Sequence, residues 1–176
     1  MGYQVTLIGI EEAGEIYRSC KNLRFNTAKA DISGICVKVH SEDREIIDMW
    51  RDNFRPMNDE IRTHARIFCL KDDQGDLRVL YNRVTSTVFL YNFDYYGWIK
   101  SMALAMASDI LEDSHKIYSV HGAALDIDGV GVTLIAPSNT GKTTQSWGLL
   151  RMDNAHLITD DWYFVMLTKG RPMIRG

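Results

Sequence analysis

Cysteine is scarce in this 176-residue chain: Cys20, Cys36 and Cys69 stand far apart, with no CxxC pair among them. An odd number at such spacing argues against a disulfide scaffold or a thiolate zinc site, and for free thiols in a reducing compartment. Long apolar runs are missing too. No stretch approaches the roughly 20 apolar residues that cross a bilayer, and Met1-Gly2-Tyr3-Gln4-Val5 lacks the charged-then-apolar pattern of a secretory signal. There is no basic excess either. The formal net charge is −3 and the pI is near 5.9, so bulk charge gives no push toward nucleic acid. A cytoplasmic protein with neither nucleic-acid nor membrane partners is the expectation. His40, His64, His115 and His156 show no zinc-ligand spacing.

What is present suits a globular protein: 45% of the residues are hydrophobic and 24% charged, enough for one domain or two small ones. Residues 3–10, 32–39, 66–70, 77–81 and 85–91 read as strands from their β-branched and aromatic content. The polar stretch 71–76, with Gly75 in the turn, predicts a hairpin between two of them. Residues 11–25 are weakly patterned, with a glycine at 14, and carry no assignment. Ser41 is a candidate cap for a helix in which Ile46, Ile47, Trp50 and Phe54 recur at helical spacing and Pro56 closes the element. The aromatic run from Phe89 to Trp98 has no basic residues interleaved in the manner of a stacking platform, and reads as packing between a sheet edge and the next helix. Residues 98–112, rich in alanine, leucine and methionine, predict that helix.

Beyond residue 117 the pattern changes. Residues 123–127 and 130–135 flank Asp128-Gly129, a favoured hairpin dipeptide. The apolar strand then runs into Ala136-Pro137-Ser138-Asn139-Thr140-Gly141-Lys142-Thr143, and a helix follows over 145–152. Strand, tight loop, Gly-Lys-Thr and helix make one physical device. Backbone N–H groups at a helix start cradle phosphate, and a lysine adds a mobile point charge. Lys142 is expected to reach the outer phosphates of a nucleoside triphosphate, and the Thr143 hydroxyl a magnesium ion. Ala136 replaces the usual first glycine of such a loop, and Asn139, which tolerates a left-handed backbone, replaces a later one. A short strand, 157–159, predicted to be buried, ends in Asp160-Asp161. Carboxylates there suit magnesium binding or orientation of a nucleophile, and two adjacent ones can divide those jobs. A last strand spans 162–168.

The stretches 121–132, 136–144 and 157–161 together resemble the HPr kinase/phosphorylase catalytic domain, and are similar to the nucleotide core of ATP-dependent phosphoenolpyruvate carboxykinase, which shares that fold. Ser138, Gly141, Lys142 and Thr143 match the phosphate loop, and Thr140-Gly141-Lys142-Thr143-Thr144 looks most like the carboxykinase version. The resemblance covers residues 119–165. It implies that Asp160 is the base that activates a serine hydroxyl, that Asp161 helps hold the divalent ion and that His121 lies near the phosphates. The fold expected is an α+β amino-terminal module over residues 1–116, ending in a packing helix. An α/β P-loop segment of the HPr kinase/phosphoenolpyruvate carboxykinase type follows over 117–176. That segment is expected to be truncated or reduced, since the glutamate-, arginine- and glycine-rich signature of the kinases does not occur before Gly176.

The function expected is ATP- and Mg-dependent phosphoryl transfer to a hydroxyl acceptor such as serine. The alternative is a nucleotide-binding regulatory module with little catalysis. The nucleotide contacts are expected from Ser138, Asn139, Thr140, Gly141, Lys142, Thr143 and Thr144. A homo-oligomer is entertained in which a second chain fills an open side of strand 162–168.

Overall fold

The computed structural model describes residues 4–93, 95–137, 140–168 and 170–176. The chain divides into two compact units, residues 1–107 and 108–176. The first contains strand β1 (Val5–Leu7), helix α1 (Ile10–Ser19), β2 (Asn26–Ile32), β3 (Ile35–Ser41), helix α2 (Arg44–Asn53), β4 (Arg55–Pro56), β5 (Ala65–Leu70), β6 (Arg78–Asn82) and β7 (Thr87–Tyr91). Helix α3 (Gly97–Ile110) carries the chain across the boundary between the units.

These strands form one sheet in the order β1-β6-β7-β5-β3-β2-β4. The hairpin predicted across residues 71–76 does not form. β7 lies between β5 and β6, parallel to β5 and antiparallel to β6. The reason is visible in β5 and β7, which are almost wholly buried along their length. Such continuous apolar strands belong in a sheet interior with both faces covered, and that long-range pairing outweighs a local turn signal. The 71–76 connection is tied down elsewhere: Asn92 Oδ1 accepts from the Asp72 N–H at 3.0 Å, and the Asp72 carboxylate pairs with Arg78. The aromatic run accordingly starts in the sheet interior, at fully buried Phe89, and not at an edge.

Helix α1 fills the segment that the sequence left unassigned. It presents Ala13, with Ile16 beside it, to the cluster of Phe68, Leu70 and Phe89, a single narrow stripe that Gly14 weakens as a signal. Helix α2 buries Ile46, Ile47 and Trp50, side chains worth roughly 1.5–3 kcal/mol each when fully removed from water. Its cap is Asp43 and not Ser41. Asp43 Oδ1 accepts from the Glu45 N–H at 2.9 Å, while Ser41 Oγ accepts from the Asp43 N–H at 3.1 Å.

The second unit contains β8 (Ile117–His121), β9 (Ala123–Ile127), β10 (Val130–Leu134), helix α4 (Lys142–Leu149), β11 (Ala155–Thr159), β12 (Trp162–Thr168) and β13 (Arg171–Arg175). They make two antiparallel three-stranded sheets, β10-β9-β11 and β13-β12-β8. The β9–β10 hairpin forms as the sequence predicts. Asp128 and Gly129 both take positive φ, 54° and 77°, the geometry that matches the twist of two directly paired strands. Its core is fully buried Ala123, Ala124 and Leu125, with Tyr163 close behind. Two expectations are corrected. The strand ahead of the acidic pair is not buried, because β11 lies at an edge beside β9 with Leu157 and Ile158 exposed. Nor does β12 have an open side, since β8 and β13 fill both.

Candidate functional site

β9 organises the predicted site. β10 and β11 pair with its two sides, both antiparallel to it, and therefore run in the same direction. Leu134, the last residue of β10, sits opposite Ala123, and Thr159, the last of β11, opposite Ala124. The loop after β10 and the Asp160-Asp161 pair after β11 thus leave the same end of the sheet, about 9.5 Å apart at two strand spacings.

The same place is a double crossing between sheets. His121-Gly122 carries the chain from β8 in one sheet to β9 in the other, and Asp160-Asp161 carries it back from β11 to β12. The Gly122 N–H donates to the Asp161 carbonyl at 3.0 Å, and His121 is the register partner of Trp162. A Cβ at position 122 would lie 2.7 Å from the Leu134 carbonyl oxygen and 3.2 Å from the Tyr163 ring. Glycine is therefore required for the loop strand and the acidic turn to meet so closely. His121 Nε2 stands 3.4 Å from Asp161 Oδ1, with the two side chains 50% and 54% exposed. A pair so open to water contributes little stability. The imidazole stacks on Trp162, with ring centroids 5.7 Å apart and planes 18° from parallel.

Among the loop residues, Ser138 and Asn139 lie outside the described residues. Gly141 takes φ 92° and precedes α4 with no side chain capping the helix, so the first amides of α4 keep the donor capacity that helix starts leave over. The Lys142 ammonium folds back on the loop, donating to the Ala136 carbonyl at 2.5 Å and the Pro137 carbonyl at 3.1 Å. Thr140 Oγ1 also donates to the Pro137 carbonyl, at 2.6 Å. Thr143 and Thr144 are exposed on the first turn of α4. Buried Ser146 donates its hydroxyl to the Lys142 carbonyl at 3.0 Å and holds that turn in place.

The structure thus brings His121 and Asp161 into direct contact and sends the loop and Asp160 out beside them. Sequence reading missed Gly122 and Trp162. The signal for both was available, as the residues directly following the histidine and the acidic pair. Among the described residues no group of three or more His, Cys, Asp or Glu converges on one point. A magnesium ion carried on nucleotide phosphates takes only one or two protein oxygens, and a threonine hydroxyl with a carboxylate is a donor set of that kind. Among the described residues no helix is long and apolar enough to cross a membrane. No family model matches the chain, and no curated protein matches it.

Proposed function

We propose that the second unit binds a nucleoside triphosphate with magnesium and transfers its terminal phosphoryl group to a hydroxyl, in the manner of the HPr kinase class. The observation that supports this reading is the common exit of the Gly141-Lys142-Thr143 loop and the Asp160-Asp161 turn beside β9, with His121 against Asp161. The α4 amides and Lys142 bind the phosphates. To do so, Lys142 exchanges two carbonyl partners for phosphate oxygens, a stronger charge-assisted contact. Thr143 and Asp161 are the residues that would hold magnesium, which neutralises charge on the phosphates when bound. Asp160 accepts the proton of the acceptor hydroxyl as its oxygen attacks the terminal phosphorus and the nucleoside diphosphate leaves. Positioning and electrostatics carry most of such a reaction, so these residues are sufficient in kind.

The test is calorimetric titration of ATP with magnesium into wild type and Lys142→Ala. Loss of a charge-assisted contact is expected to weaken binding by about tenfold or more. Equal affinity for the two proteins would rule out the assignment of Lys142.

One observation favours a second reading, a nucleotide-binding regulatory module without transfer. His121 and Asp161 are half exposed, whereas transfer to a hydroxyl in preference to water needs a site that excludes water. Incubation with labelled ATP and serine-containing acceptors separates the two. Tight binding with neither hydrolysis nor transfer would leave the module alone standing.

A further inference from the structure

The first unit holds a cavity of about 290 Å³ between α1 and the sheet, and nothing in the nucleotide reading uses it. Beneath it lies the stacked pair Phe68 and Phe89, with centroids 5.4 Å apart and planes 23° from parallel, both buried. Its wall is α1, where Ala13 and Gly14 leave room and the Tyr17 ring meets Phe68 edge-on at 5.7 Å. A cavity of this volume accepts a flat body of about ten non-hydrogen atoms.

The other end of the cavity is polar, and there the donors decide what fits. Thr87 gives its hydroxyl proton to the Thr85 carbonyl at 3.1 Å, and Thr85 Oγ1 lies 2.8 Å from Asn82 Oδ1. Both hydroxyls are thereby committed within the protein. Arg66 is the uncommitted group: among the described residues its guanidinium has neither a hydrogen bond nor an acidic partner. Directly across the strands from it stands Lys38, and across from that Lys29, a row of three cations on one face. Lys29 is engaged by the carbonyls of Asp59 and Ile61, but Lys38 likewise has no acidic partner among the described residues. Like charges facing each other across strands destabilise a sheet, and an anion supplied from outside removes that cost.

We propose that this cavity is a binding site for a small aromatic carboxylate, its ring against the exposed side chains of Ile10 and Tyr17 on α1 and its carboxylate on Arg66. Arginine suits the task because its planar fork meets a carboxylate in two parallel hydrogen bonds. The proposal is independent of the phosphate loop, and failure of the nucleotide reading leaves it untouched.

The test uses 3-phenylpropanoate and its neutral amide as probes in calorimetric titrations of the full chain. The carboxylate is expected to bind at about millimolar affinity or tighter, and the amide about tenfold more weakly. Gly14→Leu places a side chain in the slot. A Cβ there meets nothing closer than the flexible end of Arg18 at 3.6 Å, and leucine favours the helix more than glycine does. This variant is expected to keep or raise the thermal midpoint and to lose the probe. Arg66→Gln is expected to weaken the carboxylate at least tenfold while leaving the amide unchanged. No binding by wild type at millimolar probe, equal binding of carboxylate and amide, or undiminished binding by Gly14→Leu would each overturn the proposal.

Discussion

At the scale of single residues, the protein keeps one histidine neutral where its neighbours favour that form. Burial pushes His40 down to about 4, and the charges of Lys38 and Arg66 add to the effect. The ring stacks on Phe68 at 4.3 Å. Unfolding returns His40 to its ordinary value near 6.5, so the unfolded chain takes up a proton between about pH 6.5 and pH 4 that the native chain refuses. Stability is therefore full above pH 6.5 and is lost as the pH falls toward 4, by up to about 3 kcal/mol from this group. Urea unfolding at pH 7.5 and pH 4.5 measures that loss, and His40→Phe is expected to remove much of it. A similar pH dependence in both proteins would assign the effect to other groups. A second residue-scale prediction concerns Gly122. Alanine there must displace the Leu134 carbonyl or break the Gly122–Asp161 hydrogen bond, an overpacking cost of about 1–3 kcal/mol. Thermal unfolding of Gly122→Ala checks it.

At the scale of elements, the features legible in the sequence are those whose cause is local. The Asp128-Gly129 turn, the apolar spacing of α2 and the apolar run of β12 each lie within a few residues of the structure they specify. Asp43 shows how fine that reading becomes. A cap two residues from the expected one still starts the same helix, and Asp43→Ala is expected to cost about 1 kcal/mol, read as a fall in the urea midpoint. Illegible were the features set by distant partners. Residues 71–76 carry every mark of a hairpin, but β5 prefers β7 because both are buried on two faces. Helix α1 was hidden because its buried stripe is narrow and Gly14 interrupts it. For the candidate site the chemistry-bearing residues could be named from sequence, yet their meeting point could not. It depends on β9 pairing with β10 and β11 at once, and on a glycine whose requirement appears only when Leu134 and Tyr163 close around it.

At the scale of the whole molecule, the two units differ in how deeply their strands are enclosed. β3, β5 and β7 lie within the larger sheet and bury nearly every residue, whereas β10 and β11 are edges with exposed apolar side chains. Amide hydrogen exchange is expected to be slowest in β3, β5 and β7, and faster by an order of magnitude or more in β10 and β11. Peptide-level exchange followed by mass spectrometry checks that order. In the nucleotide reading, ATP with magnesium slows exchange in the second unit around residues 140–146, and leaves β5 unchanged.

The crossing at His121-Gly122 also governs which changes of length the protein can absorb. Extra residues between Pro137 and Thr140 would disturb the contacts of Lys142 and Thr140 with the Ala136 and Pro137 carbonyls but leave every strand pair in register. One extra residue between His121 and Ala123 would slide β9 by one position against both neighbours and turn every side chain in it to the opposite face. Leu125, now fully buried, would point to water, and the pairing of β10 and β11 would lose its common origin. Insertions therefore spare the strand register on one side of the site and destroy it on the other, although the two positions lie at the same end of one small sheet.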